Sequence, residues 1–350
     1  MNSKTNPYIL QFGKEPAEII PRLSQITEIE NAFFDENITQ QIFMITGVRG
    51  SGKTVFMSSI ASDCLKKNWI VVNVNVSSAT DILSQIAIEL SHDARIQKKH
   101  EFKNISLSMG GFSLEIAKKE VMTSSEYETK QLLQIAKKYH YRVLITMDEV
   151  TNSAAVREFS GAFQIWVREE LPVYLLMTGL YENIHELQNE KTLTFLYRAP
   201  RIDLDPLSLY EIKDNYQFNL NISEEESVQM AKMTNGYSFA FQVLGHEVWK
   251  NKKFNEDAIK RYRYTLWNLS YDKIWNDLSD NDRKVCLAIA QSKDGKYSTI
   301  KEILNWNNNQ LNPYRKRLIN KQVLKSVRTG YVAFVLPLFD EYILATEMFE

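Results

Sequence analysis

Residues 47–54 read Gly47-Val48-Arg49-Gly50-Ser51-Gly52-Lys53-Thr54, a complete match to G-x-x-x-x-G-K-[ST]. The context on both sides suits the motif. The β-rich run Gln41–Thr46 (QIFMIT) precedes it and the helix-compatible stretch Val55–Lys66 follows, so the segment predicts strand, tight loop, helix. Each position has a physical reason. Glycines let backbone N–H groups close around phosphate oxygens without Cβ clashes. The amino end of the following helix adds its positive dipole. In such a loop Lys53 reaches the β- and γ-phosphates of a nucleotide, and the Thr54 hydroxyl is a ligand for Mg²⁺.

A second pair of residues agrees with the first. The apolar run Arg142–Met147 (RVLITM) leads directly into Asp148-Glu149. Acids at the carboxyl end of a buried strand match a Walker B element: Asp148 holds Mg²⁺, and Glu149 orients or deprotonates the attacking water. The bland alternative is two acids that end a strand and cap the next helix. The run Val173–Met177 ends in Thr178-Gly179. Thr178 is either a sensor of the γ-phosphate and water or a simple strand-ending threonine. The guanine-reading tetrapeptide Asn/Thr-Lys-x-Asp does not occur, which favours adenine.

Around these motifs the 350 residues allow two or three domains. Residues 1–40 are a polar lead-in with an amphipathic helix at about Ser24–Phe34. Residues 41–206 alternate strands with helices, the pattern of a parallel sheet covered on both faces. The strands expected are Gln41–Thr46, Trp69–Val76, Arg142–Met147 and Val173–Met177, with Ile202–Leu204 a shorter one. Within this core Ile105–Ile116 alternates about Gly110-Gly111 and reads as a β-hairpin decorating the helical layer. Residues 207–277 carry helical patterns only. In 278–350 three helices precede a hairpin about Arg328-Thr329-Gly330, which is the order of a winged helix-turn-helix. The third helix is expected at about Asn309–Lys321 with Pro313 in its first turn. The fold class predicted is α/β: a P-loop NTPase parallel-sheet core with a helical lid and a C-terminal winged helix-turn-helix.

The P-loop, the Asp148-Glu149 pair, the Thr178 strand, the helical lid and the terminal module together resemble the AAA+/STAND-type ATPases related to origin-recognition initiators. The segment Asn6–Arg22 resembles the box with which that group opens. Thr194–Ser208 resembles the passage from core to lid, and Tyr237–Trp249 after Gly236 resembles a lid helix. The likeness spans about residues 6–345. It implies an ATP-binding protein that is a slow Mg-dependent ATPase. One departure stands out. Relatives of this kind carry an arginine on the lid helix, whereas Asn235-Gly236-Tyr237-Ser238-Phe239-Ala240 has none. Arg198 and Arg201 either serve the phosphate, in this chain or a neighbouring copy, or make ordinary surface ion pairs.

Charge narrows the partners. Forty-two basic and 43 acidic side chains leave a net charge of −1, which argues against a protein that coats polyanions throughout. From Lys293 to Val335, however, nine basic residues face two acidic ones. Asn309, Gln310, Asn312, Tyr314, Arg315 and Arg317 on the third helix, and Arg328 at the hairpin tip, are types that contact bases or phosphates. The region Asn309–Arg328 therefore points to duplex DNA, and a protein-docking or autoinhibitory module is the competing reading. In the first reading ATP switches DNA association, with nucleotide-dependent homo-oligomers a further expectation. In the second the chain is a STAND-like signalling ATPase awaiting a protein partner. A metabolic kinase fits poorly, since no acceptor-site signature follows Asp148-Glu149. Two distant cysteines, Cys64 and Cys286, form neither a metal cluster nor a disulfide framework, and no apolar run approaches the roughly 20 residues that cross a bilayer. A cytoplasmic protein is expected.

Overall fold

Runs of aliphatic and β-branched residues form the strands of one five-stranded parallel sheet. In the computed structural model, which describes residues 5–10, 18–35, 38–76, 81–98 and 116–348, the chain divides into two units. The first comprises Leu23–Thr46 and Lys53–Asp203. Its elements are α1 (Leu23–Phe34), β1 (Ile42–Thr46), α2 (Lys53–Lys66), β2 (Ile70–Val74), α3 (Ile82–His92), α4 (Ala94–Gln97), α5 (Ile116–Lys138), β3 (Val143–Met147), α6 (Ala154–Arg168), β4 (Val173–Gly179), α7 (Tyr181–Gln188) and β5 (Arg201–Asp203). The strand order is β2-β3-β4-β1-β5.

Every residue of β1, β3 and β4 is buried, which is why these strands read as continuous apolar runs and not as alternation. One face, carrying Met44, Val72, Ile145 and Leu175, shares a core with Ile86, Leu133, Phe159 and Trp166 of the covering helices. The other face, with Phe43 and Tyr174, is closed by Phe33 of α1, whose ring lies 5.5 Å from Phe43 and 5.1 Å from Tyr174, and by Trp69, 4.6 Å from Tyr174. The strands appear where they are expected, with shifted ends: β2 stops at Val74, and β4 continues through Gly179, so Thr178 lies inside it. The expected hairpin lies outside the described residues except for Ile116, where α5 begins.

The second unit comprises Met1–Arg22, Gly47–Gly52 and Leu204–Glu350. It contains α8 (Leu209–Leu220), α9 (Glu224–Thr234), α10 (Ser238–Asn251), α11 (Glu256–Leu266), a π-helical turn (Trp267–Tyr271), α12 (Asp272–Asn276), α13 (Asp280–Ser292), α14 (Tyr297–Leu304), α15 (Asn308–Asn320), β6 (Leu324–Arg328), β7 (Tyr331–Phe334) and α16 (Phe339–Glu347). Local chemistry sets the helix starts. Ser223 with Glu226, and Asn307 with Gln310, form capping boxes, and Ser279 caps α13. Because α15 starts at Asn308, Pro313 sits in its second turn and not in its first. Its missing N–H there leaves the Asn309 carbonyl without its usual helical donor. β6 and β7 pair antiparallel, and a bridge from Lys296 to Tyr331 adds a third short edge. Tyr216, Phe241, Tyr262 and Tyr271 share one core with Ile300, Leu318, Val332 and Phe339.

An ion pair ties α15 to α13. Arg317 Nη2 lies 2.7 Å from Asp282 Oδ1, and Asp282 is fully buried. Arg317→Met would leave that carboxylate with Ser279 as its remaining side-chain partner. Breaking a buried pair costs about 3–5 kcal/mol, but Arg317 is 42% exposed, so a loss of about 2–3 kcal/mol is expected. The measurement is the urea midpoint, which should fall at unchanged slope.

Both cysteines are buried and unbridged. Burial pushes the Cys64 thiol up to about 12 and raises that of Cys286 as well. Among the described residues no group of His, Cys, Asp and Glu is placed to hold a metal ion by itself, and no helix is long and apolar enough to cross a membrane.

Candidate nucleotide site

The chain leaves β1 at Thr46 and enters α2 at Lys53. In the intervening loop the Ser51 N–H donates to Val48 O at 3.1 Å. Gly50 and Gly52 adopt φ of 72° and 91°, a region that side-chain-bearing residues enter only with strain. A Cβ on Gly47 would overlap the Ser51 hydroxyl. Helix α2 has 14 residues and no acid of its own in the first turn; the Asp148 carboxylate meets that positive end through Thr54. Lys53 is the first residue of α2 and Thr54 the second.

In the sheet-containing unit, four of the expected residues meet. Thr54 Oγ1 donates to Asp148 Oδ2 at 2.6 Å. Thr178 Oγ1 donates to the other carboxylate oxygen, Oδ1, which also accepts the Glu149 N–H at 3.0 Å. The register explains the meeting: Met147 pairs with Met177 across β3 and β4, so the residues that follow each of them are neighbours. Glu149 takes a left-handed φ of 52° and is exposed. Its N–H also approaches Thr178 Oγ1 at 3.3 Å. Thr178 is thus a buried donor that orients the Asp148 carboxylate.

Arg198 is not brought to this group. It lies exposed in the 3-10 turn Leu196–Arg198, lining a cleft with Gln40, Gln41 and Ile42 at the amino end of β1. Parallel pairing of β1 with β5 dictates this, because Met44 is opposite Arg201 and residues before β5 fall beside the start of β1. The five residues of β1 separate that end from Thr46, the last residue of the strand, by roughly 16 Å. Arg201 is occupied elsewhere: Nε and Nη2 each lie 3.1 Å from an oxygen of Asp203, and the guanidinium stacks 4.9 Å from the Tyr181 ring centre.

Sequence reasoning missed Arg22. Its Nη2 donates to Ser51 O at 2.8 Å and to Ser238 Oγ at 3.1 Å, while Nε donates to Asp205 O at 2.8 Å. Burial lowers its pKa to about 10, with the charge of Asp205 opposing the shift. The available signal was its place at the close of the Asn6–Arg22 segment, yet nothing in that segment's pattern marks a contact with residues 51 and 238.

Comparisons with known proteins match parts of the chain to two family models. Residues 21–99 match mitochondrial ribosomal death-associated protein 3, and residues 269–343 match a domain of unknown function, DUF8462. No curated protein matches. Solved structures match over almost the whole length. The Walker-type ATPase paby2304 of Pyrococcus abyssi is 15% identical with a TM-score of 0.67, over 96% of this chain and 99% of that one. The Aeropyrum pernix ORC2 protein, solved as ADPNP–ADP complexes, is 12% identical with a TM-score of 0.59, over 97% and 98%. Cdc6p from Pyrobaculum aerophilum is 16% identical with a TM-score of 0.50, over 97% and 98%. The chain has the fold of the origin-recognition-like, Walker-type P-loop ATPases.

Proposed function

We propose that this protein binds ATP with Mg²⁺, hydrolyses it slowly, and uses the bound nucleotide to control association of its terminal module with duplex DNA in a reducing cytoplasm. The observation that carries the reading is the Thr54–Asp148 contact of 2.6 Å beside the loop of residues 47–54. Two hard oxygen donors in that arrangement suit magnesium, which when bound neutralises charge on the phosphates. The loop N–H groups and Lys53 hold the β- and γ-phosphates. Thr178 keeps Asp148 in its orientation. Glu149, exposed next to that carboxylate, positions the attacking water and accepts its proton. Arg198, remote from this chain's own loop, is offered to a neighbouring copy in a nucleotide-dependent oligomer. Isothermal calorimetry with ATP and magnesium tests the binding, and absence of heat would end the proposal.

For the DNA arm, several of the basic side chains anticipated as contacts have partners within the module. Arg315 donates to the Tyr297 hydroxyl at 2.6 Å, Arg317 is paired with Asp282, and Arg328 stacks on Tyr331 at 3.9 Å. Asn309, Asn312, Lys316 and Lys325 are exposed. With about three phosphate contacts, affinity for duplex DNA should fall roughly 40-fold between 50 and 200 mM salt. Filter binding checks this, and a flat salt dependence would instead favour protein docking.

A further inference from the structure

The outer side of the phosphate loop is held by donors from the start of α10. Three successive carbonyls are taken. Arg49 O accepts from the Tyr237 hydroxyl at 2.6 Å, Gly50 O from the Phe239 N–H at 3.0 Å, and Ser51 O from the Ser238 hydroxyl at 2.8 Å. Arg22 adds a second donor to Ser51 O. In a planar trans peptide the N–H points opposite to the C=O. Carbonyls drawn toward α10 therefore turn the N–H groups of Gly50 and Gly52 to the other side of the loop, while that of Ser51 donates to Val48 O. The bond to Gly50 also serves the helix: the N-cap residue Tyr237 makes no side-chain capping bond, and Gly50 O meets one of the helix's orphan N–H groups. A Cβ on Gly50 would overlap the Tyr237 hydroxyl and come within 2.9 Å of Phe239 Cβ, so glycine is needed there for this approach as well as for its φ.

Tyr237 reaches further. It is buried, burial raises the pKa of its phenol so that the proton stays in place, and its oxygen lies 2.8 Å from Ser270 Oγ in the π-helical turn. Tyr271, next in that turn, donates to Pro337 O ahead of α16. The start of α10 thus holds the loop by the loop's own backbone.

We infer that Tyr237 is a positioning residue which, with Ser238 and the Phe239 N–H, shapes the phosphate loop from outside and couples nucleotide affinity to the docking of α10. This deepens the ATP reading and rests on it for its effect on affinity. Loop shape and α10 docking stabilise one another, and the coupling is reciprocal.

Tyr237→Phe keeps the ring and removes the hydroxyl bonds. Measured by calorimetry at 20 °C with a non-hydrolysable ATP analogue and magnesium, its Kd should rise about 5- to 20-fold. At saturating ATP, kcat should stay near that of the unaltered chain. Ser238→Ala should shift Kd the same way, and it replaces Tyr237→Phe should that variant not fold. In nucleotide-free protein, hydrogen exchange at the Phe239 amide should speed up about tenfold in Tyr237→Phe. A lowered melting temperature with unchanged Kd in both variants would overturn the inference, because a merely structural tyrosine predicts that result. Unchanged exchange at Phe239 would also overturn it. If the unaltered chain bound no nucleotide while Phe239 exchange still accelerated, the ATP reading alone would fall.

Discussion

Alanine at position 53 is expected to weaken Mg-ATP binding by at least about 100-fold. Lys53 opens α2, whose first turn carries no acid, so its ammonium adds a full charge where the helix dipole is already positive. Charge-assisted hydrogen bonds contribute about 1.5–3 kcal/mol each, and two of them to phosphate oxygens account for a loss of about 3 kcal/mol or more. Alanine is the best helix former, so the melting temperature should change little. Calorimetry on the folded variant decides the matter. A Kd within about threefold of the unaltered protein would remove Lys53 from the phosphate site.

Glu149→Gln is expected to separate binding from hydrolysis. The substitution preserves shape and keeps the backbone N–H that donates to Asp148 at 3.0 Å. The left-handed φ of 52° is no worse for glutamine than for glutamate. What disappears is the capacity to accept a proton from water, an effect of about 10²–10⁴ in rate. Phosphate release should fall by that factor while Kd stays within about twofold, since the Thr54–Asp148 contact is untouched. Turnover at the normal rate would show that another group handles the water.

Both residues stand in motifs of the chain itself, and the strands that lead into those motifs were readable there. QIFMIT and RVLITM stand out because helices bury both faces of β1 and β3, leaving no polar alternation to blur the signal. Thr178 was harder. Its place after an apolar run allowed two roles, and the pairing of Met147 with Met177 is what sets its hydroxyl on Asp148. Arg198 and Arg22 show the limit most clearly. Both are arginines near a segment of family likeness, yet strand register carries Arg198 to the far end of β1, while Arg22 reaches Ser51 and Ser238. Neither outcome leaves a trace in composition or periodicity.

The amino-acid sequence by itself determined the glycine-rich turn between β1 and α2, the acidic strand end and the alternation of strands with helices. These depend on short-range causes: the backbone freedom of glycine, helix capping, and apolar runs a few residues long. Only the tertiary structure decided which side chains hold the loop. Tyr237 bonds a carbonyl 188 positions earlier and Thr54 an acid 94 positions later. Bonds across such separations follow from strand register and helix docking, which no local spacing encodes.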